Sequence, residues 1–154
     1  MKLIKKIILA LLIAFVVIQF IRPPRNKGEQ QFPQDISNVI PVPDSVMAIL
    51  HNACYDCHSN NTRYPWYSFV QPVGWILAGD IKNAKENLNF NEFGTYSTRR
   101  KISKLDDIGN EISENGMPLP AYRLAHKEAR LSHSEKEMLI NWAQSSEDSL
   151  SVTN

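Results

Sequence analysis

Residues 53–66 read Ala53-Cys54-Tyr55-Asp56-Cys57-His58-Ser59-Asn60-Asn61-Thr62-Arg63-Tyr64-Pro65-Trp66. They hold both cysteines of a 154-residue chain, with a histidine directly after the second. Three chemistries use such a cluster. Two thiols three residues apart can add to the two vinyl groups of one haem, and the adjacent imidazole then reaches the iron as proximal ligand. A structural zinc site needs four ligands. His51, Cys54, Cys57 and His58 would crowd a single helix, and there is no distant second cysteine pair. A dithiol redox pair wants its thiols at a helix N-terminus in a βαβ setting. These cysteines end an amphipathic segment, where the helix dipole raises a thiol pKa. A plain disulfide is the remaining alternative. The spacing therefore predicts covalently attached haem c, with Cys54 and Cys57 as tethers and His58 on the iron.

Outward from this motif the pattern is helical. Asp44 after Pro43 reads as an N-cap. Val46, Ile49, Leu50, Ala53 and Cys57 then share one helical face. A second helix is predicted from Pro72 to Leu88, with Val73, Ile76, Leu77, Ile81, Ala84 and Leu88 as its stripe. A third runs over Thr98–Glu114 on Ile102, Leu105, Ile108 and Ile112, stopped by Asn115-Gly116 with glycine taking the left-handed position. The last starts at the capping box Ser132-x-x-Glu135, turns Met138, Leu139 and Trp142 inward and fades at Ser145-Ser146. No strand alternation and no repeat is found, so the fold class is all-α, a small helical domain over residues 44–145. The polar tail 146–154 is expected to fray.

The N-terminus is of a different kind. Lys2, Lys5 and Lys6 precede an apolar run from Ile7 to Ile21, interrupted by Gln19 and ended by Arg22-Pro23-Pro24. Its length as a helix is roughly 22 Å, which Leu3, Ile4 and snorkelling basic side chains extend. Residues 1–22 thus read as a signal anchor or transmembrane helix; no small-x-small site points to cleavage. The reading places the rest of the chain on the periplasmic, extracytoplasmic side of a cytoplasmic membrane. Residues 23–43, rich in Pro, Gln and Asn, read as a flexible linker. Six of the 17 Lys and Arg fall in residues 1–27, which leaves 11 cations against 16 carboxylates beyond. That balance encodes no sustained basic surface, so nucleic acid is not an expected partner.

A second iron ligand is sought among Met117, His51, His126 and His133. Met117 sits in Gly116-Met117-Pro118-Leu119-Pro120, a loop that two prolines stiffen. It is the leading candidate, with His126 the main rival. Met/His ligation raises a haem potential and leaves no vacancy for substrate. Tyr64, Trp66, Tyr67 and Trp75 supply apolar surface to wall off a haem, and Arg63 could pair with a propionate. Core packing and a solvated surface are the plainer roles for these side chains.

Longer strings now carry a resemblance. "CYDCHSNNTRYPWYSFVQPVGWILAGDIKNAKENLNFNEF", "NGMPLPAYRLAHKEARLS" and "LINWAQ" resemble the exported haem-binding domain family of c-type cytochrome-like proteins. The resemblance covers residues 44–144. It implies a cytochrome c-like monohaem domain behind an N-terminal anchor, with Cys54 and Cys57 as thioether positions, His58 as proximal ligand and Met117 as distal ligand. The segment from His126 to Arg130 also looks like a family motif, although Lys127 stands where proline is expected. The function expected is membrane-anchored one-electron transfer, its redox partner proteins left open. A haem sensor or peroxidase-like protein with an open or displaceable distal position is one alternative, and a membrane-anchored binding module without haem is the other. No acid/base pair, nucleophile or phosphate loop argues for separate enzymatic chemistry.

Overall fold

The computed structural model describes residues 2–28 and 31–152. Eight α-helices lie among them: α1 Lys2–Ile18, α2 Ile36–Val39, α3 Asp44–Ala53, α4 Tyr55–His58, α5 Val73–Asn87, α6 Thr98–Ser113, α7 Pro120–Ala125 and α8 His133–Val152. Short 3-10 turns span Trp66–Phe69, Phe90–Thr95 and Lys127–Ala129. No strand is present among the described residues, so the all-α expectation holds for them.

The stripe on α3 is buried as its spacing requires, with Val46, Ile49, Leu50 and Ala53 all inside. Asp44 is the first helical residue rather than the cap; extended Pro43 precedes it. The helix does not run through the cysteines. Cys54 leaves helical geometry (φ −127°, ψ −44°), and Cys57 and His58 belong to the separate single turn α4. Helices α6 and α8 pack along each other, α3 packs on α8, and α4 packs on α5. Leu105 of α6 and Leu139 of α8 are fully buried, as are Phe90 and Phe93 of the central 3-10 turn.

Several boundaries differ from the periodicity reading. On α5 only Gly74 and Ile81 are buried, followed by Leu88 just past its end, whereas Val73 and Ile76 are exposed. The first turn approaches its neighbour through Gly74 instead; a Cβ there would lie 2.5 Å from the Ser68 carbonyl oxygen. At the end of α6 it is Asn115, not Gly116, that takes positive φ, at 61°. Asparagine tolerates that region because its short amide bonds locally. The capping box of α8 forms: Ser132 N donates to Glu135 Oε2 at 2.7 Å and Glu135 N to Ser132 Oγ at 3.3 Å. Met138 stays exposed while Leu139, Trp142 and Ala143 form the buried face. The helix continues to Val152, past its expected end, because Leu150 still packs against the core.

The N-terminal expectation is overturned. Helix α1 stops at Ile18 after 17 residues. That is about 25 Å, against a hydrocarbon core of about 30 Å. No helix among the described residues is long and apolar enough to cross a membrane. The interruption at Gln19 is the physical cause. Its amide donates to the Gln71 carbonyl at 3.2 Å and accepts from Gln71 N at 2.8 Å, and the chain turns there. With the transmembrane anchor falls the membrane location that rested on it.

Residues 23–43 are more than a tether. The Arg25 guanidinium lies over the rings of Tyr64 and Phe69, at 4.1 and 4.0 Å. Asn26 bonds Ser59, Thr62, Tyr64 and Lys85. Gly28 N donates to the Asn60 carbonyl at 2.6 Å, an approach so close that a Cβ would stand 2.7 Å from that oxygen. Asp35 caps α2, whose Ile36 is completely buried. Isolated isoleucines in a polar stretch give no periodicity, which is why the segment reads as a linker.

Candidate functional site

The break at Cys54 and the single turn of α4 turn Cys54, Cys57 and His58 toward a cavity of about 510 Å³ bounded by α3, α5, α6, α7 and the loop that precedes α7. Leu50, Phe90, Ile108, Ile112 and Leu139 supply much of its apolar wall. Met117, Pro118 and Leu119 close it from the loop, so Met117 shares one cavity with the cysteines and His58. Asp80, Asn83 and Asn87 on α5, with Lys104, Asp107 and Glu111 on α6, bring polar groups to it. Lys104 Nζ is paired with Asp107 Oδ2 at 2.7 Å.

Cys54 and Cys57 are free thiols. Burial pushes both up to about 12. The neighbouring thiol adds to the effect at Cys54, and the Asp56 and Asp80 carboxylates add to it at Cys57. Both are therefore protonated at neutral pH, which removes the thiolate that a dithiol redox centre needs. The cause is desolvation more than the helix dipole that the sequence invoked. No group of three or more His, Cys, Asp or Glu among the described residues could hold a metal by itself, which leaves a closed zinc site without ligands. Burial also lowers the His58 pKa, so the ring is neutral. Its Nδ1 lies 2.9 Å from the Leu88 carbonyl, which can only accept. Nδ1 thus carries the proton, and Nε2 keeps the lone pair that can bind a metal.

The remaining sequence candidates lie elsewhere. Arg63 does not line the cavity; its Nε donates to Asp56 Oδ1 at 3.0 Å and its Nη2 to the His51 carbonyl. The carboxylate two residues ahead of His58 pairs with it. The Tyr64 hydroxyl accepts from Asn26 N, and Trp66 is 79% exposed; neither lines the cavity. His126 is outside as well. Its Nε2 lies 2.7 Å from the Tyr67 hydroxyl and its Nδ1 3.3 Å from Glu128, so both ring nitrogens are engaged.

Sequence reasoning missed Asp56 and Tyr122. Asp56 is buried and accepts from Arg63 and from the Tyr122 hydroxyl, the latter at 2.7 Å. Tyr122 lines the cavity, and burial, followed by that hydrogen bond, raises its pKa. The one available signal was a carboxylate set between the two cysteines, which would be costly to bury without partners.

Neither the curated proteins nor the solved structures give a match. A family model described as a haem-binding domain matches residues 13–145, from the end of α1 through most of α8. The donor set fits that group: two thiols, a neutral imidazole with one nitrogen open and a thioether, around an apolar cavity of cofactor size. This chain belongs to the haem-binding domain family.

Proposed function

We propose that this haem-binding chain is a monohaem, c-type cytochrome-like protein that passes single electrons between carrier proteins. In this reading Cys54 and Cys57 hold the haem through thioether bonds, His58 Nε2 is the proximal iron ligand and Met117 Sδ the distal one. The observation that supports it is the convergence of Cys54, Cys57, His58 and Met117 on a single apolar cavity, although the two ligands stand 59 positions apart in the chain. When bound, haem iron supplies a one-electron ferric–ferrous couple, and histidine–methionine ligation raises its potential. The protein does the rest. The Leu88 carbonyl orients the His58 ring and fixes its tautomer. Leu50, Phe90 and Leu139 exclude water and lower the local dielectric. Pro118 and Pro120 restrict the loop that presents Met117.

The test is expression with a haem-ligation system, followed by acid–acetone extraction, a pyridine haemochrome spectrum and redox titration. Covalently retained haem with a thioether-type haemochrome and one reversible one-electron wave is expected. Haem that extracts completely would overturn covalent attachment. Rapid binding of carbon monoxide, not limited by ligand dissociation, would favour a sensor or peroxidase-like protein over an electron carrier.

A further inference from the structure

Two hydrogen bonds join α7 and His126, the residue that caps it, to the segment around the cysteine motif. The Tyr122 hydroxyl donates to Asp56 Oδ2 at 2.7 Å, between the two cysteines in sequence and two residues before His58. His126 Nε2 lies 2.7 Å from the hydroxyl of Tyr67, in the 3-10 turn that follows the motif. Tyr122 and His126 stand one helical turn apart with their rings stacked at 4.2 Å, so the two bonds spring from one rigid unit. Arg63 holds Asp56 from its other oxygen at 3.0 Å. Met117 lies three residues before α7 begins. At its other end the loop is tied to α6, with Gly116 N and Met117 N both donating to the Glu111 carbonyl, at 2.9 and 3.2 Å. The loop is thus pinned at both ends, and the pin on the α7 side reaches directly to the residues that carry His58.

We propose that Tyr122 and His126 are positioning residues that clamp the Met117 loop to the proximal motif, so that the thioether is held at the iron and outside ligands are kept off. This rests on the assignment of Met117 as distal ligand. The clamp acts as a latch on a local opening equilibrium. An outside base such as imidazole can replace the thioether only after the loop lifts, so every loss in latch strength appears as a gain in imidazole affinity. Tyr122→Phe removes one hydrogen bond to a paired carboxylate, and Tyr67→Phe removes the other from a different element.

The experiment is imidazole titration of the haem-loaded protein, read with the near-infrared sulfur-to-iron band. It is joined by amide hydrogen exchange across residues 116–126, with and without haem. For Y122F, imidazole affinity should rise about tenfold or more, the gain expected from losing one hydrogen bond to a charged group. For Y67F a gain of about threefold is expected from losing a neutral one. The band should weaken and exchange across the loop should quicken in both. In a Met117→Ala background neither substitution should change imidazole affinity, because the latch then holds nothing. Unchanged affinity and band in both variants, with a wild-type haemochrome, would overturn the clamp alone, as would an equal gain in the Met117→Ala background. A wild-type chain with no haemochrome would overturn the assignment of haem and the clamp together.

Discussion

The residues from Cys54 to His58 divide between two environments within a single helical turn. Tyr55 and Asp56 enter a buried polar knot. The Tyr55 hydroxyl meets both oxygens of Asp35, at 3.1 and 3.0 Å, and Asn91 Nδ2 donates to the same carboxylate at 2.7 Å. Asp56 accepts from Arg63 and Tyr122. Cys54, Cys57 and His58 turn the other way, to an apolar cavity, and there only His58 Nδ1 spends its hydrogen-bonding capacity on the protein. Buried polar groups are normally satisfied, so the knot reads as structure that is already complete. The cavity side offers donors whose partners the chain does not itself provide, which is how a cofactor site differs from a core.

Substitutions on the two sides should therefore fail differently. The largest effect is expected from Cys54→Ser with Cys57→Ser. The polar knot should keep the fold, while all haem becomes extractable by acid–acetone. Loss of cooperative unfolding in that variant would break the division, because the cysteines would then belong to the structure. Next is Met117→Ala, which should abolish the sulfur-to-iron band and lower the midpoint potential with the haem still covalently held. An unchanged spectrum and potential would remove Met117 from the iron.

On the knot side Asp35→Ala should do the reverse. It strips partners from Tyr55, Asn91 and the first turn of α2, where Ser37 N donates to Asp35 at 3.0 Å. Leaving those groups unpaired should cost about 3 kcal/mol and lower Tm by roughly 6–12 °C, with the spectrum of any protein that folds left unaltered. A spectral change larger than the thermal one would show that the knot tunes the cavity instead of only supporting it.

How much of this division the sequence carries depends on the distance over which each signal acts. Helix periodicity is local, so α3, α6 and the start of α8 were legible from the apolar spacing and the Ser132–Glu135 box. Cys-x-x-Cys-His is local as well, and the neighbouring prolines drew attention to Met117. The bond from Asp56 to Tyr122 spans 66 positions and obeys no period, so neither residue could be paired in advance. The Arg63 pair was hidden for the same reason: a guanidinium close to the motif fits a propionate and a carboxylate equally well, and only the fold brings Asp56 to it. Residues 23–43 and the end of α8 were undervalued because a few scattered side chains anchor them, the buried Ile36 and Ile40 in one and the partly buried Leu150 in the other. The membrane anchor failed at Gln19, whose amide bonds to Gln71 just past the end of α1, which stops at 17 residues.

The smallest expected effect lies far from both environments and sets the scale for them. Glu135 closes the α8 capping box, and the Ser132 hydroxyl and then its backbone N–H hold the Glu135 carboxyl below its ordinary value of 4.5. A carboxylate whose folded pKa is depressed contributes stability above its unfolded pKa and loses it as pH falls through the folded one. Glu135→Gln keeps the side-chain shape and removes the charge at the positive end of α8. At neutral pH it should cost no more than about 0.5 kcal/mol, given solvent screening at the helix end. The difference from wild type should shrink as pH falls below the ordinary carboxylate value and vanish once Glu135 itself is protonated. Paired urea melts at neutral and acid pH measure this directly. A gap that persists undiminished in acid would assign the effect to side-chain packing and not to charge. Because α8 carries Leu139 into the cavity wall, the same pair of proteins should show identical haem spectra throughout, and a difference would mean that the helix end couples to the cavity.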